Sequence, residues 1–127
     1  MTDLTKNAQD DTVTADQNWT TICALQDLPC DAGVAALLHA DSPEETQIAL
    51  FRTSDDAVYA ISNFDPFSEA NVLARGILCS IGEQLAVASP VLKEHFDLAT
   101  GQCFEDENVS IATFPVKIAD GNVLIAA

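Results

Sequence analysis

The sequence predicts an all-β fold, an antiparallel β-sandwich of short strands joined by tight turns. Apolar and polar residues alternate over short runs along most of the chain, which is the period of a strand with one buried face. Near the end of the chain, Asp120-Gly121 separates two apolar runs, and this dipeptide favours the type I′ turn of a β-hairpin. With 127 residues, 48% of them hydrophobic, the chain is long enough for one domain with its own core.

The first half of the chain predicts a meander of strands joined by short turns. Residues 18–25 alternate and carry Trp and β-branched side chains, which favour strands. The apolar run 33–40 has the length of a buried strand, although its pattern is also compatible with a helix. Residues 46–52 and 57–61 flank a polar turn and therefore predict a hairpin.

Two loops interrupt the strand pattern of the second half. The first, at 63–71, carries Pro66 and several polar residues, and the second, at 89–94, begins beside Pro90. Proline cannot donate to a β-ladder, so both segments are predicted to lie outside the sheets. The remaining strands are predicted at 77–81, 84–88, 111–118 and 122–126.

The chain is predicted to be a single cytoplasmic domain. Residues 1–17 are polar and rich in aspartate, and they predict a disordered acidic tail ahead of the domain at 18–127. No apolar run approaches the roughly 20 residues that a membrane-spanning helix needs. The start of the chain lacks the charged and apolar regions of an export signal, so no membrane is expected as a partner.

The charge balance excludes another class of partner. The formal net charge is −15, from 20 acidic and five basic residues. Such a field repels the phosphate backbone of nucleic acids, so no nucleic acid is expected as a partner. The acidic surface is explained either by general solubility or by an acidic face that meets a basic protein.

Motifs that carry chemistry are absent from the sequence. It contains no glycine-rich phosphate loop, no Gly-x-Ser-x-Gly and no His-Glu-x-x-His. The four cysteines do not follow a zinc-binding spacing. We therefore predict no catalytic residue and no metal site in this chain.

Two segments resemble the cluster-binding loops of Rieske proteins, in which two Cys and two His hold a [2Fe–2S] cluster. The resemblance rests on the tail Phe-Asp-Leu-Ala-Thr-Gly at 96–101. Aligning on this tail places other residues at all four ligand positions. Asn63 and Asp65 take the first Cys and His positions, and Ser89 and Leu92 take the second pair. Because these four side chains cannot rebuild the site, no cofactor is expected in this chain.

Further segments narrow the resemblance from Rieske proteins in general to one family. Asn-Phe-Asp-Pro-Phe-Ser at 63–68, Val-Leu-Ala-Arg-Gly-Ile at 72–77 and the stretch 114–123 are similar to the small subunit of assimilatory NAD(P)H-dependent nitrite reductase. The resemblance implies a Rieske-like antiparallel β-sandwich with a degenerate cluster-binding subdomain. It also implies a non-redox subunit that binds a large catalytic subunit in the cytoplasm. That large subunit would carry FAD, sirohaem and a [4Fe–4S] cluster and would reduce nitrite to ammonium.

Two alternative functions remain open at this point. One is a Rieske-type ferredoxin that transfers electrons, which the missing ligands argue against. The other is a free-standing acidic protein-interaction domain.

The two loops are expected to lie side by side at one end of the sandwich and to dock on the large subunit. The candidate contact residues are Asp65, Phe67, Arg75 and Leu92. Alternatively, Arg75 pairs with Asp65 or Glu69 and only fixes the loop. The apolar residues of the loops are expected to fill the space left by the cluster, and otherwise to form an exposed patch; they are Phe64, Phe67, Val91 and Leu92.

Overall fold

A computed structural model describes residues 19–126. This part of the chain consists of strands and two single turns of 3₁₀ helix, Leu25–Asp27 and Leu73–Arg75, which confirms the all-β prediction. The predicted acidic tail at 1–17 lies outside the described residues. The strands are β1 (Trp19–Ala24), β2 (Gly33–Leu38), β3 (Thr46–Arg52), β4 (Val58–Ser62), β5 (Phe64–Asp65), β6 (Ala70–Asn71), β7 (Ile77–Ile81), β8 (Gln84–Ala88), β9 (His95–Asp97), β10 (Thr113–Phe114), β11 (Val116–Ala119) and β12 (Asn122–Ala126).

The strands form antiparallel sheets on both sides of a central one. The central sheet has the order β10-β4-β3-β2, and it packs between the sheet β1-β12-β11 and the sheet β7-β8-β9. A two-stranded ribbon, β5-β6, follows the central strand β4. Within residues 19–126, no helix is long and apolar enough to cross a bilayer.

Strand β3 shows why part of the sequence is apolar without alternation. Ile48 and Leu50 pack in the core shared with β12, whereas Ala49 and Phe51 pack in the core shared with β8 and β9. Side chains of a strand point alternately to its two faces, so a strand buried on both faces must be apolar throughout. The central position of β3 follows directly from this run.

The predicted meander of the first half is only partly correct. Strands β2, β3 and β4 do follow one another in the sheet, but β1 pairs with β12 at the other end of the sequence. Alternation identifies a strand but not its partner, because the pattern is the same whichever strand lies beside it. The apolar run at 33–40 contains strand β2, which ends at Leu38, so the strand interpretation is correct for most of the run.

Pro115 divides the strand that was predicted over residues 111–118. Thr113 and Phe114 pair with β4 in the central sheet, whereas Val116 and the residues after it pair with β12 in the neighbouring sheet. Proline has no N–H to donate, so the chain leaves one sheet and enters the next at this residue. The hairpin after it is confirmed, since Asp120 and Gly121 have φ of 55° and 78°, as a type I′ turn requires.

Candidate functional site

The two predicted loops meet at one end of the molecule, as expected. The first follows β4 and contains the ribbon β5-β6, so it is more regular than the sequence indicated. The second connects β8 to β9, and no strand begins in it before His95. The Ser89 hydroxyl donates a hydrogen bond of 2.6 Å to Oδ2 of Asp65 and joins the two loops directly. We refer to residues 63–71 and 89–94, with the adjoining Arg75 and Ile77, as the loop end.

Asp65 organises its own loop as well as the contact between loops. Its Oδ1 accepts hydrogen bonds from the backbone N–H groups of Phe67 at 2.9 Å and Ser68 at 3.4 Å. The residue is 0% exposed, so its side chain does not lie on the surface that the docking prediction assigned to it. Burial raises the pKa of this carboxyl, but the hydrogen bonds from Ser89, Phe67 and Ser68 outweigh burial and lower the pKa below its usual value.

Asn63 and Ser89 are likewise buried and hydrogen-bonded. Asn63 Oδ1 accepts the backbone N–H of Ala74 at 2.7 Å, and Nδ2 donates to Gln47 Oε1 at 3.1 Å. Asn63 thus fixes the 3₁₀ turn at Leu73–Arg75 to the end of the central sheet. Besides its contact with Asp65, Ser89 closes its own loop, because its backbone N–H donates to the carbonyl of Glu94 at 2.8 Å.

The four ligand positions do not fit a [2Fe–2S] cluster. Asn63, Asp65 and Ser89 use their polar atoms in hydrogen bonds, and Leu92 offers no donor atom. In a Rieske site the His and Cys positions hold different irons of the cluster. Here Asp65 and Ser89 contact each other, which leaves no space for two irons between them. Within the described chain, no group of three His, Cys, Asp or Glu side chains is arranged to hold a metal ion.

The apolar residues of the loop end are mostly exposed. Phe64 is 43% exposed, Val91 49% and Leu92 54%, so the expectation that they fill a vacated space is wrong for these three. The buried polar side chains already close that space. Phe67 is the exception, because it is half-buried and packs against Phe96 with the ring centroids 6.2 Å apart. The alternative, an exposed apolar patch, therefore describes the loop end.

Ile77 extends this patch and was missed in the sequence. It is 72% exposed, and it pairs with Ala88, the residue before Ser89, so it lies at the base of the second loop. Alternation predicted a strand here but could not show which side chains are uncovered. The preceding Gly76 allows the backbone to approach Ala88 closely, since a Cβ on residue 76 would lie 2.4 Å from the Ala88 carbonyl oxygen.

Arg75 is exposed beside this patch. Among residues 19–126, Arg52 forms an ion pair with Asp56, His95 Nδ1 lies 2.6 Å from Glu105 Oε2, and no acidic side chain pairs with Arg75. The alternative, in which Arg75 pairs with Asp65 or Glu69, is therefore not seen.

The tail at 96–101, on which the resemblance was aligned, forms a turn of its own. Asp97 Oδ1 accepts the backbone N–H groups of Ala99 at 2.7 Å and Thr100 at 3.2 Å, and its Oδ2 accepts Gln84 Nε2 at 2.6 Å. Gly101 follows with φ of 83°, in close contact with the backbone of Ile111. These contacts need no metal. The motif therefore indicates the fold and is not evidence that a cluster is bound.

Comparison with known proteins identifies relatives of this chain. A family model described as a Rieske-like [2Fe-2S] domain matches residues 18–126. The nitrite reductase (NADH) small subunit of Escherichia coli (strain K12) is 42% identical over 106 residues, which cover 83% of this chain and 94% of that protein. The solution structure of the nitrite reductase [NAD(P)H] small subunit from Erwinia carotovora has a TM-score of 0.71 and 46% identity, covering 86% of this chain and 81% of that one.

The chain also resembles part of a much longer protein. The nitrite reductase [NAD(P)H] large subunit of Klebsiella oxytoca is 38% identical to it over 118 residues, which are 93% of this chain and 12% of the longer one. A domain of this kind thus occurs within the same polypeptide as the rest of a large subunit.

Proposed function

Because the chain belongs to the Rieske-like family of nitrite reductase small subunits, we propose that it is the non-redox small subunit of a cytoplasmic NAD(P)H-dependent nitrite reductase. In this proposal it binds a large subunit that carries FAD, sirohaem and a [4Fe–4S] cluster. That subunit reduces nitrite to ammonium in nitrate assimilation. The small subunit contributes binding and no catalytic residue of its own.

The buried hydrogen bond between Asp65 and Ser89 is the observation that carries the non-redox role. Electron transfer by a Rieske domain requires a cluster at these positions. The two side chains are 0% and 2% exposed and bond to each other, so the loops are closed without a cofactor. This argues against the ferredoxin alternative.

The large subunit as partner is supported by the similarity to the long Klebsiella oxytoca protein. When a domain occurs both alone and fused to another, the separate chain commonly associates with the equivalent of the rest. A free-standing interaction domain would not explain this similarity. The four cysteines, all free in the described chain, suit a reducing compartment such as the cytoplasm.

The loop end is the proposed docking surface. It presents Phe64, Ile77, Val91 and Leu92 as exposed apolar side chains beside Arg75, which has no acidic partner within residues 19–126. Grouped exposed apolar residues mark interaction sites, and aromatic and Arg residues are enriched among the strongest contacts. Asp65 and Phe67 support this surface from beneath, Asp65 by joining the loops and Phe67 by packing on Phe96.

Anaerobic reconstitution with iron and sulfide tests the non-redox role. We expect the purified chain to retain no stoichiometric iron or acid-labile sulfide and to stay colourless, because Asn63, Asp65, Ser89 and Leu92 do not form a ligand set. A cluster-bearing Rieske ferredoxin treated in parallel serves as the positive control. One cluster per chain, measured by elemental analysis, would contradict the proposal.

The docking surface is tested by the double variant Phe64→Ser with Leu92→Ser. We expect its affinity for the large subunit to fall about tenfold or more, which corresponds to about 1.4 kcal/mol. Both side chains are exposed, so the free energy of unfolding should change little. Calorimetric titration gives the affinity, and thermal unfolding gives the stability.

Ile118→Ser is the matched control for this experiment, since Ile118 is a 40% exposed apolar residue of β11 in another sheet. Its affinity for the large subunit should equal that of the unmodified chain. Full affinity in a folded Phe64→Ser/Leu92→Ser variant would exclude the loop end from the interface.

A further inference from the structure

Strand β7 has one unpaired edge. It is the outer strand of the sheet β7-β8-β9, and all of its five residues pair with β8 on one side. On the other side, no backbone group of residues 19–126 pairs with it. An unpaired row of N–H and C=O groups is a template for adding another strand.

Several other outer strands carry features that hinder strand addition, and β7 does not. Strand β1 has an irregular register between Thr21 and Cys23, and β11 contains Lys117. Strand β10 has only two residues, and Cys103 bridges to the outer side of β9. The sequence of β7, Ile-Leu-Cys-Ser-Ile, contains no charge and no proline. Natural edge strands are protected by such charges, prolines and bulges.

A groove borders strand β7. It has a volume of about 370 Å³ and is lined by Asp31, Ala32, residues 76–80 and Leu85. Neighbouring strands of a sheet lie about 4.8 Å apart, so one extended segment placed beside β7 would occupy this space. Asp31 in the lining of the groove favours a segment with basic or neutral residues.

We propose that an extended segment of the large subunit adds to β7 as a fourth strand of this sheet. The inference rests on the proposed function and specifies how the two subunits bind. Ile77 begins β7 and is also part of the loop end, so strand addition would continue the proposed docking surface without a gap. A second copy of this chain is a poor occupant, because two copies of net charge −15 repel each other.

Hydrogen–deuterium exchange of the complex tests the proposal directly. We expect the deuterium uptake of segment 77–81 to fall when the large subunit is added, because the outer amides of β7 become hydrogen-bonded. Segment 19–24, which forms β1, serves as the internal control and should keep its uptake. The free chain must first show rapid uptake by part of segment 77–81, and slow uptake there would mean that the edge is already covered and would overturn the proposal.

A charged substitution provides an independent test. Ser80 is exposed on β7 and distant in sequence from both loops, so Ser80→Lys places a charge on the edge while leaving the loop end intact. We expect its affinity for the large subunit to fall about tenfold or more, whereas Thr20→Lys, which adds the same charge to β1, should bind normally.

The outcomes separate this inference from the function on which it rests. A complex in which residues 64–71 and 89–94 are protected but 77–81 are not would overturn strand addition and leave the proposed function standing. The absence of any complex would remove both. A dimer of the chain alone with protected 77–81, seen by sedimentation, would assign the edge to a second copy instead.

Discussion

Replacing Asp65 with Ala is expected to lower the free energy of unfolding by about 2–4 kcal/mol. The substitution leaves the buried Ser89 hydroxyl and the backbone N–H of Phe67 without an acceptor, and each such group costs about 1–3 kcal/mol. Removing a buried charge relieves part of this loss, because the carboxylate no longer has to be desolvated. Urea denaturation at neutral pH measures the change.

Asp106→Ala is the control, because Asp106 also accepts a backbone hydrogen bond two residues on, from Asn108 at 3.0 Å, but at the surface. Its loss should stay within about 1 kcal/mol. A double-mutant cycle with Ser89→Ala then isolates the contact between the loops. Equal stabilities of the Asp65 and Asp106 variants would show that the contact between loops does not stabilise the fold.

Replacing Gly101 with Ala is expected to lower the free energy of unfolding by about 3–5 kcal/mol. Gly101 has φ of 83°, which other residues adopt at a cost of about 1–2 kcal/mol. In addition, a Cβ there would lie 2.0 Å from the Ile111 carbonyl oxygen, so backbone must move. The Ile111 N–H also donates to the Gly101 carbonyl, and this hydrogen bond would be displaced.

Gly82→Ala separates the two causes. Gly82 has a similar φ of 62°, but no atom lies within 4 Å of the position of its Cβ. It should therefore show only the conformational cost of about 1–2 kcal/mol. The difference between the variants, from thermal or urea unfolding, measures the collision with Ile111, and a difference near zero would contradict its role.

The features that could be predicted from sequence are those fixed by neighbouring residues. A type I′ turn requires positive φ at both central residues, and Asp120-Gly121 is a dipeptide that adopts it readily. The hairpin is therefore determined locally. The pairing of β1 with β12 could not be predicted, because it depends on how distant strands share a core. Pro115 carries a local signal of the change of sheet, since a residue without an N–H cannot donate to the ladder.

At the loop end, the sequence was informative about the chemistry that the residues exclude. It was less informative about their structural roles. The identities of Asn63, Asp65, Ser89 and Leu92 argued against cluster binding, but nothing local showed that Asp65 and Ser89 meet. Hydrophobicity suggested burial for Leu92, although a turn can expose an apolar side chain when the space beneath is already closed. Ile77 was hidden in an alternating strand, because alternation does not reveal an uncovered face.

The Asp65–Ser89 hydrogen bond has a consequence for the conditions under which the loop end keeps its shape. A cluster joins two loops only while its iron and sulfide are retained, and oxygen or iron starvation removes that link. A hydrogen bond between two oxygen atoms contains no redox-active atom, and it needs neither iron nor sulfide to form. We therefore expect the geometry of this surface to be independent of oxygen and of iron supply, and we expect the chain to fold without a metal.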